Sequence, residues 1–367
     1  MKFYEILALF LIECKTIFLL LCPGKLFSLQ KNTIEVKQKK TKMKIFSRLT
    51  ILLTLVMLST SMIFAQEDLN AAGSVFNEGN EALKAKNFDV AITKYEEALG
   101  MCKIIGMDAY NLKANIEKQL PQAQYYYGLD LVKNKKVTQG LDLLKEALKN
   151  AKPVNDQKVI DGSNKYIATI LGSMGYQKTK KEDFENAIST FDEALSYNPR
   201  AGKVYLYKGM TYKEMNDDKN MDESLLNAIK YAREENDEKT AMNAIKIGRS
   251  FYVGKIQSAI EAKNYSDAIT QGEHVLKYDD KYGPAYYFMA VAYNNLSQYD
   301  NALTAATQAL GFSDSAQETQ AGIHLEMGKA HEGNGNTTAA CEEYNQAAFG
   351  NFKAEAEYKV KEVLKCQ

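Results

Sequence analysis

Four stretches of this chain align without gaps: NFDVAITKYEEAL from Asn87, DFENAISTFDEAL from Asp183, NYSDAITQGEHVL from Asn264 and QYDNALTAATQAL from Gln298. Such self-similarity constrains the fold more than any bulk property. Each copy must be one structural unit that buries its apolar side against its neighbours. The spacing fits a helical hairpin, in which polar residues start the second helix and an aromatic (Phe88, Phe184, Tyr265, Tyr299) packs back on the first. Ala91, Ala187, Ala268 and Ala302 then sit where the two helices cross most closely. Seven residues on, Ala98, Ala194, Val275 and Ala309 return to the same face two turns later, where the next hairpin docks.

Twelve residues before each crossing Ala the first helix needs another small residue, and Gly79, Gly175 and Ala290 stand there. The template extends to Gly128 with Gly140, Leu144 and Ala147, to Gly209 with Tyr212 and Ala228, and to Gly328 with Ala340, Tyr344 and Ala347. The pattern resembles the tetratricopeptide repeat (TPR), which couples a small residue and an aromatic on helix A to Ala, an aromatic and Ala on helix B. Gly175 to Pro199 matches it best. The chain departs from it in having no Trp, in the Gly-free unit around Ile256, and in Met221 and Gly140 at the crossing position. The resemblance implies an all-α fold, a right-handed α-solenoid of about seven TPR-like hairpins.

Unit starts fall near Ala72, Pro121, Ala168, Gly202, Arg249, Gly283 and Ala321. Two of the steps have the standard length of about 34 residues and the others are longer. The additional residues are expected to lengthen helix B, as in MDESLLNAIKYAREENDEKTAMNAIKIGRS from Met221. Pro121, Pro153, Pro199 and Pro284 are expected at boundaries between helices. Residues 352–364 are expected to form a capping helix.

Tyrosine occurs 23 times, with Tyr125-Tyr126-Tyr127 and Tyr286-Tyr287-Phe288 early in two A helices. Consecutive helical positions point in different directions, so each cluster divides between core and surface. In TPR proteins the concave face is built from fixed A-helix positions. The resemblance carries these over to Tyr125, Tyr126 and Leu129; Tyr176 and Lys180; Lys203, Tyr207, Met210 and Lys213; and Tyr287, Phe288, Val291, Asn294 and Asn295. The competing reading is that these side chains pack the seams between repeats. As a set they suit an extended peptide or a glycan, through apolar faces with polar tips. The Lys/Asn clamp by which some TPR proteins grip a terminal carboxylate is not assembled. Asn77 and Asn80 are present, but Phe76 and Tyr126 occupy other clamp places.

Nothing in the sequence points to catalysis, and no enzyme activity, cofactor or metal is expected. The histidines are His274, His324 and His331; the last two share a helix face at a spacing that can hold a metal, but the template gives both to packing. GNGNTT from Gly333 looks like a phosphate loop, yet no strand precedes it and the template puts it at the turn between helices A and B. The formal net charge is +0, but ten of the 46 basic and three of the 46 acidic residues fall in the first 65. The remainder carries −7, without the broad positive field that nucleic acid binding needs.

The first 65 residues read as a leader. From Met43, Lys44 and Arg48 precede an apolar run from Leu49 to Phe64, and Ala65 precedes polar Gln66. This is the layout of a secretory signal peptide (43–65), with cleavage expected after Ala65. The alternative is a membrane anchor, for which the run is short and diluted by Ser and Thr. Residues 1–42 fit no export signal and are read as a gene-model extension or a disordered leader, leaving 66–367 as the solenoid. Cys102, Cys341 and Cys366 are too few for a disulfide framework, Cys341 with Cys366 being one candidate pair. The expectation is an exported scaffold, periplasmic or envelope-associated in a Gram-negative-type bacterium. It would hold a protein segment in its groove during envelope assembly or maintenance; the alternative is a glycan-binding accessory of the envelope.

Overall fold

The computed structural model describes residues 68–314 and 316–366, together with Thr50 and Gln66. The expected signal peptide (43–65) and the expected 1–42 extension therefore lie, Thr50 apart, outside the described residues. Among the described residues no helix is long and apolar enough to cross a membrane.

The described regular structure is helical and alternates A with B. The hairpins are α1 (68–84) with α2 (Phe88–Ile105), α3 (Tyr110–Lys133) with α4 (Val137–Ala151), and α5 (Gln157–Thr179) with α6 (Phe184–Tyr197). They continue as α7 (Gly202–Glu214) with α8 (Asp218–Glu234), α9 (Glu238–Glu261) with α10 (Tyr265–Tyr278), α11 (Gly283–Asn295) with α12 (Tyr299–Gly311), and α13 (Gln317–Gly333) with α14 (Thr337–Ala347). Two compact units result, a small one to which Ala98–Lys113 belong and a large one of Phe76–Glu97 with Ala114–Gln367. The crossing residues Ala91, Ala187, Ala268 and Ala302, and their partners seven positions on, are all fully buried. Within the large unit α5 packs on α7, α7 on α9, α9 on α11 and α11 on α13, whereas the B helices α6, α8, α10, α12 and α14 do not pair with one another to that extent. The A face is thus the tighter one.

Every A-to-B turn has one construction. The residue two before helix B is left-handed: Lys86, Lys135, Glu182, Asn216, Lys263, Ser297 and Gly335 all have φ between 57° and 76°. At the end of α9, Lys263 N–H donates to the Ile260 carbonyl and Asn264 N–H to the Ala259 carbonyl, the paired bonds of a Schellman motif. Gly335 places the GNGNTT stretch in the expected turn.

The structure corrects three expectations. The longer units extend helix A rather than helix B: α3, α5 and α9 have 24, 23 and 24 residues, against 15 for α4 and 17 for α8. The long run from Met221 breaks at Asn236, which is left-handed (φ 58°), and at Asp237, whose carboxylate caps α9 by accepting from the Thr240 N–H. These local signals end one helix and start the next although the apolar periodicity runs on. Pro121, Ala168 and Arg249 accordingly lie about three turns inside their A helices. Pro121, expected at a boundary, is buried within α3, where its fixed φ suits the helix and packing of Leu120, Ala123 and Gln124 holds the segment. The aromatic that opens helix B reaches forward to the next hairpin: Phe88 stacks on Tyr126 of α3 at 5.5 Å, and Tyr299 lies against Gly333 of α13.

The end of the stack is a 3-10 turn (Gly350–Phe352), a short helix α15 (Lys353–Tyr358) and one π-helical turn (Lys359–Val363). Phe352 covers Gly322 of α13, and Ala356 is buried with Leu325, Tyr344 and Ala347. A disulfide joins Cys341 of α14 to Cys366, with Cα atoms 5.8 Å apart.

Candidate functional site

The A helices α5, α7 and α9 build the most connected open surface. Tyr176 and Lys180 lie one turn apart, as do Lys203 and Tyr207, so each lysine reaches back to its ring: Lys180 Nζ is 4.8 Å from the Tyr176 centroid and Lys203 Nζ 5.8 Å from that of Tyr207. The two rings stack on each other at 4.5 Å and 13°. One turn on, Thr179 and Thr211 face each other in the buried seam, Oγ1 to Oγ1 2.6 Å. One hydroxyl donates to the other, which donates to a carbonyl of its own helix, Gly175 or Tyr207. The tyrosine pair is therefore seated on a fixed seam.

Two clefts open on either side of it. One, of about 510 Å³, lies between α5 and α7 and is lined by Tyr176, Lys180, Phe184, Met210 and Glu214. The other, of about 430 Å³, lies between α7 and α9 and is lined by Lys203, Tyr207, Met210, Lys239, Asn243 and Lys246. Met210 lines both and makes them one surface. Asp237, at its edge, has its carboxyl held below the ordinary value of 3.8, first by the Thr240 hydroxyl, then by the Thr240 N–H, with Lys203 and Lys239 nearby adding to the effect. A third cleft, of about 720 Å³ and more apolar, lies by Tyr287 between Pro284, Phe312, Ile323 and Phe352.

The other expected site residues divide between seams and surface. Tyr125 turns its edge to Tyr126 and Tyr166 and fills the space over Gly162, and Leu129 packs into the core of α4 to α6. Phe288 packs against the core of α8 to α11. Asn294 donates to the backbone and the carboxylate of Glu326 at 2.9 and 2.8 Å, bridging α11 to α13. Asn295 donates to the Val291 carbonyl in its own helix, and Lys213 lies 3.9 Å from Glu214. Asn80 accepts from the Tyr95 hydroxyl and so serves the hairpin crossing.

The model of the tetratricopeptide repeat family matches residues 283–314, which hold the hairpin of α11 and α12. The hairpin of α11 and α12 is thus similar to a tetratricopeptide repeat, and the consecutive hairpins form a TPR-like stack. No curated protein sequence matches it. Among solved structures, MamA is similar at 20% identity over 53% of this chain and 95% of that one, with a TM-score of 0.29. The TPR2AB domain of yeast Sti1, in complex with pHSP90, is similar at 15% identity over 80% of this chain and 94% of that one, with a TM-score of 0.31. A tetratricopeptide repeat protein from Parabacteroides merdae is similar at 13% identity over 81% of this chain and 100% of that one, with a TM-score of 0.28.

His274 and His324 serve bonding between helices. His274 Nδ1 lies 2.9 Å from Asp222, which also accepts from the Tyr278 hydroxyl at 2.5 Å, while Tyr252 stacks on the imidazole at 4.6 Å. His324 Nδ1 lies 2.7 Å from Glu343. Among the described residues no three His, Cys, Asp or Glu side chains gather as a metal site would require. Three cleft residues are not marked by the repeat pattern, Lys239, Asn243 and Lys246, because the apolar periodicity gives the first half of α9 to a helix B. The signal that would have found them is Asn236-Asp237, a left-handed residue followed by a cap.

Proposed function

We propose that this protein is an exported TPR scaffold that holds an extended segment of a partner protein across the A face of α5, α7 and α9. One observation carries the reading: Tyr176, Lys180, Lys203, Tyr207 and Met210 line adjoining clefts that run without interruption over two repeat seams. Repeat stacks use such surfaces for protein partners, and a rigid aromatic pair with polar neighbours costs little ordering entropy on binding. Export is supported by the composition of 43–65 and by the Cys341–Cys366 bond, which persists in oxidising compartments such as the periplasm. A role in envelope assembly or maintenance follows from that placement. The glycan alternative needs open aromatic faces for sugar stacking, and Tyr176 and Tyr207 turn theirs to each other.

The test is a photo-reactive residue at Met210, with one at Ser189 on the exposed side of α6 as control, in the protein expressed in its own cells. A discrete protein adduct from position 210 and none from 189 is the expected result. No adduct from either, or adducts from both, removes the A-face reading. Intact mass of the same sample, expected to begin at Gln66, checks export independently.

A further inference from the structure

The connection between α2 and α3 is unlike the others between hairpins. The turns before α5, α7, α9 and α11 read KPVND, NPRA, END and DDKY, with Val154 and Tyr282 half-buried. Before α3 stands the 3-10 turn Gly106–Ala109, which contains Met107 and lies between Ile104 and Tyr110. Ile104, Met107 and Tyr110 are 86%, 87% and 69% exposed, whereas the next most exposed large apolar side chain among the described residues is Tyr358 at 60%. Ala109 is fully buried, so the turn itself is seated on the hairpins while these three side chains stand out from it. Such an apolar patch on a water-exposed turn marks a contact. The hairpin of α1 and α2 places it. Lys94 meets Glu78, and the Phe76 and Tyr95 rings lie 5.8 Å apart, so the two helices run antiparallel. Ile104 is ten residues on from Lys94 and Asp68 ten back from Glu78, so the tip stands level with the start of α1, both within the small unit. The apolar run from Leu49 to Phe64 ends four residues before Asp68, a reach of at most about 14 Å, and so joins the molecule beside the tip.

We infer that Ile104, Met107 and Tyr110 seat in the surface of a lipid bilayer, at the end of the molecule where the leader joins. This stands apart from the A-face reading above. Three apolar side chains on one protruding turn enter a fluid apolar layer without needing a matching pocket, and a ring with a polar tip such as Tyr110 suits the interfacial depth. The nearness of the apolar run is what points to lipid rather than to a protein pocket, since a signal segment lies in the membrane during export whether or not it is then removed. Asp68 and Asp108 stand exposed among Lys103 and Lys113, so neither sign of charge prevails and apolar burial carries the contact. Three side chains give a weak, reversible foothold. A retained leader in the same membrane strengthens it by proximity, and a processed protein keeps it after cleavage.

The chain has no tryptophan, so Met107→Trp makes a single fluorescent reporter at the tip and Ser189→Trp one on the exposed side of α6. Each protein, purified from its own cells, is mixed with vesicles of phosphatidylcholine and phosphatidylethanolamine. The expected result is a blue shift of the position-107 emission that bromine-labelled acyl chains quench, with no shift at 189. Vesicle affinity should stay within about twofold when salt rises from about 0.05 M to about 0.3 M. The shift should be lost when Ile104→Asp and Tyr110→Asp accompany the reporter; both positions are exposed, so the circular dichroism of these variants should match that of the parent. No shift at 107, or equal shifts at both positions, overturns the inference. A shift that needs no vesicles and grows with protein concentration overturns it in favour of a second copy, and a shift that salt abolishes overturns it in favour of charge. Each of these failures leaves the A-face reading to the Met210 cross-link, which tests it separately.

Discussion

The closest approach of helices A and B is set by single atoms. In the hairpin of α5 and α6, a methyl on Gly175 would meet the Phe191 ring at 2.5 Å, so the absence of a side chain there is what lets the aromatic lie across the A helix. Gly175→Ala gains up to about 1 kcal/mol in helix propensity and loses about 1–3 kcal/mol to overpacking. A net loss of about 1 kcal/mol is expected, read as a lower melting temperature by circular dichroism. Gly254 of α9 has nothing within 4 Å of the same position, so Gly254→Ala should raise stability by about 1 kcal/mol. Two substitutions of one type with opposite signs test whether packing or propensity governs. Asp237→Ala removes the α9 cap and should cost about 1 kcal/mol. Its folded carboxyl is held below 3.8, so this contribution is complete above the unfolded value and is lost as pH falls through the folded one. Wild type and variant should therefore converge in stability in that acid range. Such small-residue positions were legible because their spacing repeats. The exposed lysines of α9 were not, since nothing periodic marks a side chain that packs against nothing.

Between elements, turn chemistry decides which residues can face which helix. The sequence reading carried one helix through Asn236-Asp237 because the apolar positions on either side stay in phase, and phase alone cannot report a break that both flanking helices tolerate. The start of helix B is placed correctly wherever the turn is followed by the polar-aromatic opening, as at Phe88, Phe184, Tyr265 and Tyr299. These turns also hold strain. Lys263 adopts φ 58°, a conformation disfavoured by about 1–2 kcal/mol for a residue with a Cβ, while its N–H completes the Schellman pair. Lys263→Gly relieves that clash against a larger loss of chain entropy and is expected to stabilise by about 0.5–1 kcal/mol. Chemical denaturation measures it; a decrease would mean that the Lys263 side chain contributes more than its backbone costs.

At the scale of the large unit, stability is a sum of nearest-neighbour terms, so what covers α14 decides how firmly that hairpin is held. The cap is held three ways: by burial of Ala356 with Tyr344 and Leu325, by Lys359 Nζ on both oxygens of Glu332 at 2.8 Å, and by the disulfide. The Glu332 carboxyl, which burial alone would raise, is brought down by Lys359 and by the Tyr344 hydroxyl, which donates to it at 2.5 Å. The Cys341–Cys366 bond spans 25 residues, a loop for which cross-linking is worth about 3 kcal/mol. Because neighbours communicate only in sequence, removing it should loosen α14 and α15 and leave α5 to α7 as they were. The Cys341→Ser, Cys366→Ser protein, followed by amide hydrogen exchange, is expected to lose about a hundredfold of protection across Thr337–Ala347 and Lys353–Tyr358, with no change in Phe184–Tyr197. An even loss of protection along the chain would instead mean that the repeats fold as one cooperative block, and that the disulfide acts on the whole stack through its last hairpin.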